Sequence, residues 1–175
     1  MATLPELETP RLTLRRLTLD DADFIVRLLN DRDFLAHIGD RGVRTAADVP
    51  RYLELGPFAM YQRHGFGLWH VARKTDGAAI GLCGLLKRDT LPDVDLGYAY
   101  LPEFRGQGYA YEAAAATPEH AARKFGLRRV IAVVSPGNTS SIGLLEKLGM
   151  RFERMHFMEP GADEVRLHGR TLVSG

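Results

Sequence analysis

The feature that most constrains this fold is the stretch over residues 95–110, where an extended apolar run meets a glycine-rich loop. The loop contains Arg105, Gly106, Gln107 and Gly108, and a helix is predicted to begin at Tyr109. A loop of this kind presents bare backbone N–H groups at the positively polarised N-terminus of a helix, which suits a phosphate anion. The stretch therefore predicts a strand, a phosphate-binding loop and a helix in direct succession.

Hydrophobic spacing and turn residues predict the other elements. Strands are expected over 11–17, 68–73, 78–86, 93–101, 128–134, 151–158 and 165–173, and helices over 20–29, 109–125 and from 138 or 139 to 148, with two short ones within 46–64. Asp20 is expected to cap the first helix, and Pro118 predicts a kink or short break near Thr117. An antiparallel meander that feeds a β-α-β-α unit places the chain in the α+β (mixed α/β) class, as a single domain over residues 1–175.

Composition limits the partners of the chain. With 23 basic and 22 acidic residues, its net charge of +1 gives no electrostatic reason to expect nucleic acid or an anionic membrane as a partner. A lone cysteine, Cys83, excludes an intramolecular disulfide and fits a reducing cytoplasm. The six histidines show no metal-ligand spacing, and no apolar run is long enough to cross a bilayer. We therefore expect a soluble cytoplasmic protein without a metal.

Several phosphate-binding loops compete for residues 105–110. A Walker loop would need a Gly-Lys-Ser or Gly-Lys-Thr sequence, which does not occur in the chain. A dinucleotide fingerprint would need glycine or alanine where Tyr111 stands, and an acidic residue near Ser135-Pro136. The loop alone leaves open a simple structural turn, and also a nucleotide-binding protein unrelated to coenzyme A.

A second motif over residues 138–153 follows the next buried strand. Its helix opens at Asn138 or Thr139 and is closed by Gly149. Together with the Arg-x-x-Gly-x-Ala spacing of the first loop, it resembles the GNAT superfamily of acyl-CoA N-acyltransferases. The segments 9–15 and 80–85 make the chain most similar to the ribosomal-protein N-terminal alanine and serine acetyltransferases. The resemblance covers residues 9–153.

The resemblance implies a central, mostly antiparallel mixed sheet with a splayed parallel strand pair, flanked by helices. Pantetheine would lie between the splayed strands, and the pyrophosphate of acetyl-CoA would lie on the glycine loop. The implied cofactor-binding residues are Tyr100, Leu101, Arg105, Gly106, Gln107, Gly108, Tyr109, Ala110 and Asn138. Arg105 would add charge near a phosphate, although a solvated arginine is an equal alternative.

The resemblance also implies transfer of acetyl from acetyl-CoA to a primary amine by direct attack in a ternary complex. Many family members use a helix tyrosine as the thiol acid, but the aligned residue here is Leu145, and Ser141 is the matching candidate. Asp95 and Glu112 are candidates for the base, although water could suffice. The acceptor would be a protein N-terminus or a small molecule, and the protein a monomer or homodimer. The alternative is a non-catalytic acyl-CoA-binding sensor or structural module.

Overall fold

A computed structural model describes residues 4–172, which build one eight-stranded sheet. The strands are β1 (Pro5–Glu8), β2 (Leu12–Arg16), β3 (Leu68–Arg73), β4 (Ala79–Leu86), β5 (Asp95–Tyr100), β6 (Arg129–Val134), β7 (Arg151–Phe157) and β8 (Glu164–Thr171). Across the sheet their order is β1-β2-β3-β4-β5-β6-β8-β7. Neighbouring strands are antiparallel except β5 and β6, which are parallel. This mixed sheet confirms the predicted fold class.

Helices cover both faces of the sheet. They are α1 (Ala22–Leu29), α2 (Arg32–His37), α3 (Val49–Leu55), α4 (Pro57–His64), α5 (Tyr109–Phe125) and α6 (Thr139–Lys147). Because alternate residues of a strand point to opposite faces, Leu82 of β4 packs with α1 and α3, whereas Cys83 packs with α5 and α6. The sheet therefore separates two hydrophobic cores.

Local chemistry accounts for the elements that the sequence predicted best. Helix α5 begins after Gly108 and ends before Gly126, and both glycines adopt left-handed backbone angles that favour a residue without a side chain. The hairpin of β3 and β4 and the two short helices separated by Gly56 are also confirmed. The predicted last strand ends at Thr171 in the structure, and Val173 lies outside the described residues.

Three local predictions were wrong or incomplete. Thr18, not Asp20, caps this region, and its side chain accepts a hydrogen bond in a short 3-10 turn before α1. Strand β1 and helix α2 were not predicted. Asp31 was a local signal for α2, because it caps this helix by accepting from the N–H groups of Asp33 and Phe34. Both elements are short, so their hydrophobic periodicity gives little signal.

Of the kink or short break expected near Thr117, the break does not occur, because α5 is continuous through Pro118. The Thr117 hydroxyl donates to the Ala113 carbonyl oxygen at 2.8 Å, and the side chains of Thr117 and Pro118 are buried against the sheet. Packing of α5 on β4 and β5 therefore outweighs the local cost of one missing backbone hydrogen bond.

We expect the buried imidazole of His70 to make the protein less stable as the pH falls from about 6.5 to 4. His70 is 4% exposed, and its Nε2 lies 3.8 Å from Asp21, which also binds Arg15. Burial and the nearby Arg15 charge lower the pKa of His70 to about 4. The unfolded chain binds a proton at a higher pH than the folded chain, so acid favours unfolding by up to about 3 kcal/mol.

Chemical denaturation at several pH values measures this effect. His70→Phe should flatten the dependence of the unfolding free energy on pH in this range, whatever its effect on stability at neutral pH. A slope unchanged by the substitution would show that another group causes the loss.

Candidate active site

The parallel strands β5 and β6 diverge and leave a cleft in the middle of the sheet. Within the described residues, the only paired register between them is Asp95 opposite Ile131, and the Ile131 N–H donates to the Val94 carbonyl oxygen at 3.0 Å. Beyond that point a cleft of about 910 Å³ opens between the strands. This volume lies in the range of ligand sites in proteins.

Backbone groups of β5 face the cleft, and of these the Tyr100 carbonyl accepts from the Arg105 side chain. The Leu101 N–H donates to Ile80 of β4, whereas the Val94 carbonyl faces β6. Because hydrogen-bonding groups alternate between the two sides of a strand, those of Tyr98 and Tyr100 face the cleft. Both backbone groups of Leu101 are bonded within the protein, since its carbonyl oxygen accepts from Phe104 at 3.1 Å. Tyr98, which was not singled out from the sequence, lines the cleft, whereas Leu101 is not among the residues that line it.

The glycine loop forms one mouth of the cleft. Gly106, Gly108, Tyr109 and Ala110 line it, and a Cβ atom added to Gly106 would meet nothing within 4 Å. The first turn of α5 closes with the bond from Glu112 N–H to the Gly108 carbonyl, so the preceding amides have no partner within the helix. These groups form a candidate anion site, because amides at a helix N-terminus are positively polarised.

Gln107 faces away from this anion site. Its carbonyl oxygen accepts from Arg11 at 3.0 Å, and its side-chain amide donates to the Glu103 carbonyl at 3.0 Å. Gln107 does not line the cleft. It therefore holds the loop rather than facing a ligand.

Arg105 lines the cleft, but its guanidinium is already engaged. It donates to the Tyr100 carbonyl at 3.0 and 2.7 Å, to Asp31 at 2.7 Å and to Asp33 at 2.5 Å. The two carboxylates offset its charge. Arg105 therefore ties the glycine loop to the N-terminus of α2.

Helix α6 forms the wall opposite β5. Asn138 caps this helix, because its side-chain oxygen accepts from the Ser141 N–H at 3.2 Å. Its NH₂ group can only donate, so it suits a carbonyl oxygen of a ligand. Asn138 and Ser141 both line the cleft, as predicted.

The Ser141 hydroxyl lies 2.6 Å from the hydroxyl of Tyr98 across the cleft. Burial raises the pKa of Tyr98 to about 12, although the bond to Ser141 acts in the opposite direction. The phenol is therefore protonated at neutral pH. No sequence motif indicated this pair, because its members lie 43 residues apart in the chain. The alternation of side chains along β5 was the one available signal for the position of Tyr98.

The two carboxylates suggested as bases lie in different places. Asp95 lines the cleft, is 1% exposed and binds Arg88 at 2.6 Å. Burial raises the pKa of Asp95, and this effect is larger than the lowering of the pKa by Arg88. Side chains alternate between the two faces along β5, so Asp95 points to the face opposite Leu96. This is the face of Ala99 and Leu101, which pack with α1 and α3.

Glu112 does not line the cleft. Its carboxylate accepts hydrogen bonds from Thr9 at 2.6 Å and from Arg11 at 2.7 and 2.9 Å. Although partial burial acts to raise the pKa of Glu112, these bonds hold it below its usual value. The structure therefore brings Asp95 and Ser141 into one cleft and leaves Glu112 outside it.

Comparisons with known proteins place this arrangement among acetyltransferases. Residues 11–151 match the family described as "Acetyltransferase (GNAT) domain". The uncharacterized N-acetyltransferase YoaA of Bacillus subtilis is 27% identical over 150 residues, which cover 85% of this chain and 84% of that protein. None of the described helices is both long and apolar enough to cross a membrane.

Solved structures share the fold. Mycobacterium smegmatis RimJ in complex with CoA-disulfide has a TM-score of 0.76 and 22% identity, over 91% of this chain and 81% of that one. The ribosomal-protein-S5-alanine acetyltransferase of Vibrio fischeri has a TM-score of 0.76 and 20% identity, over 94% of this chain and 95% of that one.

Proposed function

This chain belongs to the GNAT acetyltransferase family, and on that premise we propose that it acetylates a primary amine by direct attack in a ternary complex. It is an acetyl-CoA-dependent acetyltransferase. The observation that carries the proposal is the single cleft that joins the anion site at Gly108 to Ser141 and Asp95. One continuous cleft allows a phosphate-bearing acyl donor and an amine to meet between β5 and β6.

The backbone supplies most of the proposed contacts to acetyl-CoA. The N–H groups of Gly108, Tyr109 and Ala110 would bind the pyrophosphate, since they point out of the first turn of α5. The backbone groups of Tyr98 and the N–H of Tyr100 would pair with the amides of pantetheine as a neighbouring strand does, since the Tyr100 carbonyl already accepts from Arg105. The Asn138 side chain would donate to a pantetheine carbonyl.

In the proposed reaction the neutral amine nitrogen attacks the thioester carbonyl carbon, and the C–S bond breaks with its electron pair left on sulfur. Ser141 donates its hydroxyl proton to that sulfur. We assign the proton of the amine to Asp95 or to water, and its return to Ser141 restores the serine. An α-amine with a pKa near ~8 is about one-tenth neutral at pH 7, so a protein N-terminus needs less help from a base than a lysine side chain.

The test is the release of free thiol from acetyl-CoA with a panel of acceptors: peptides with N-terminal Ala, Ser or Met, free lysine, polyamines and aminoglycosides. Turnover with one class would support the proposal and assign the acceptor. Tight binding of acetyl-CoA without turnover across the panel would favour a sensor or structural module instead.

We expect Ser141→Ala to lower kcat about 100-fold, because general acid catalysis contributes at least this much in many enzymes. The affinity for acetyl-CoA should change less than about twofold, since the backbone amide of Ser141 is retained. Steady-state kinetics and calorimetry measure the two effects. Ser140→Ala, at the preceding position of α6, is the matched control: Ser140 is exposed and also lines the cleft, and the variant should retain normal turnover. Unchanged turnover in Ser141→Ala would refute the role.

A further inference from the structure

The hydroxyl pair of Tyr98 and Ser141 joins the two walls of the cleft. Tyr98 belongs to β5 and Ser141 to the first turn of α6, and their oxygens are 2.6 Å apart. This distance is typical of a strong O–H···O bond. The inference drawn from it rests on the proposed function of Ser141.

The chemistry of the two groups sets the direction of this hydrogen bond. A phenol is a stronger acid than an aliphatic alcohol, so it is the better donor, and the serine oxygen is the better acceptor. Tyr98 keeps its proton at neutral pH because burial raises its pKa. This order of acidity favours Tyr98 as the donor and Ser141 as the acceptor.

This direction leaves the hydrogen of Ser141 free for a third group. The cap from Asn138 engages the backbone N–H of Ser141 and leaves its hydroxyl out of that bond. A hydrogen bond received at Oγ also makes the serine hydroxyl a better donor, since linked hydrogen bonds polarise one another.

We propose that Tyr98 is a positioning residue for acetyl transfer, because its hydroxyl donates to Ser141 Oγ and directs the Ser141 hydrogen toward the thioester sulfur. As the C–S bond breaks, the Ser141 proton moves toward the sulfur, and the Tyr98 hydrogen bond stabilises the charge that develops on Oγ. Tyr98 keeps its own proton throughout. The proton that sulfur gains is still supplied, overall, by the attacking amine.

The experiment measures the pKa of the CoA thiol bound to the enzyme, from the ultraviolet absorption of its thiolate, together with kcat. We expect Tyr98→Phe to raise the pKa of the bound thiol, so that the proton concentration at its titration midpoint falls about tenfold, and to lower kcat about tenfold. The KM for acetyl-CoA should change less than about twofold. Tyr111→Phe is the matched control, since it removes a hydroxyl from another tyrosine that lines the cleft and is 43% exposed.

The double variant Tyr98→Phe/Ser141→Ala separates positioning from a general structural effect. If Tyr98 acts through Ser141, the double variant should match Ser141→Ala in both kcat and thiol pKa. Multiplied effects, or a bound thiol unaffected by Tyr98→Phe, would overturn the inference while leaving the proposed function intact. Failure of the unaltered protein to bind CoA would overturn both.

Discussion

Gly108→Val is expected to weaken the binding of acetyl-CoA about 100-fold. Gly108 has a φ of 83°, in the left-handed region that a β-branched residue adopts only with strain. A Cβ atom there would also lie 3.2 Å from Arg11 Nη2. Relief of this strain should move the amides of Tyr109 and Ala110 away from the pyrophosphate, and two lost hydrogen bonds to a charged group are worth about 3 kcal/mol.

Gly77→Val is the matched control for this prediction. Gly77 has a φ of 71° and open space around its Cα, but it lies in the turn between β3 and β4, away from the cleft. The substitution should cost similar backbone strain and leave the affinity for acetyl-CoA unchanged in calorimetry. Equal losses of affinity in the two variants would mean that general destabilisation, rather than the anion site, explains the effect.

Gly84→Ala is expected to destabilise the fold by about 3 kcal/mol or more, because the added methyl group meets backbone that cannot move aside. A Cβ atom at Gly84 would lie 1.9 Å from the Gly67 carbonyl oxygen and 2.8 Å from the Leu68 Cα. That carbonyl also accepts from the Leu85 N–H at 3.3 Å, so its position is fixed by the sheet. Overpacking of this kind costs 1–3 kcal/mol when only side chains must shift, and more when backbone must move.

The cross-strand partner of Gly84 provides the control. Gly97 lies directly opposite on β5, and its added Cβ would meet only the side chains of Leu86 and Leu68, at 3.4 and 3.5 Å. Gly97→Ala should therefore change the unfolding free energy by less than about 1 kcal/mol in urea denaturation. If both substitutions cost the same, loss of glycine rather than the clash would be responsible.

Most of the fold could be predicted from sequence because its signals are local. Helix α5 has a glycine at each end, and the β3–β4 hairpin has an Asp-Gly turn, so neighbouring residues alone define them. Continuity of α5 through Pro118 could not be predicted, since it depends on packing against strands distant in the chain. The four-residue strand β1 pairs with β2 but carries too few residues for a periodic pattern.

The candidate site was predicted only in part, for a related reason. The glycine loop and Asn138 belong to contiguous motifs, and the structure places both at the cleft. The partners of individual side chains were not predictable: Arg105 binds Asp31, which is 74 residues away, and Glu112 binds Thr9 across 103 residues. Such pairs depend on tertiary structure, and a single sequence contains no periodicity that reveals them.

The divergence of β5 and β6 gives this sheet two inner edges in addition to the outer edges at β1 and β7. An edge offers amide and carbonyl groups at fixed spacing, and these are the same whatever side chains the strand carries. A ligand that contains amides of its own can be selected by that spacing. Substitutions along the strands then leave recognition intact unless they introduce proline. Use of the same acetyl donor is therefore compatible with relatives that share only about a quarter of their residues with this chain.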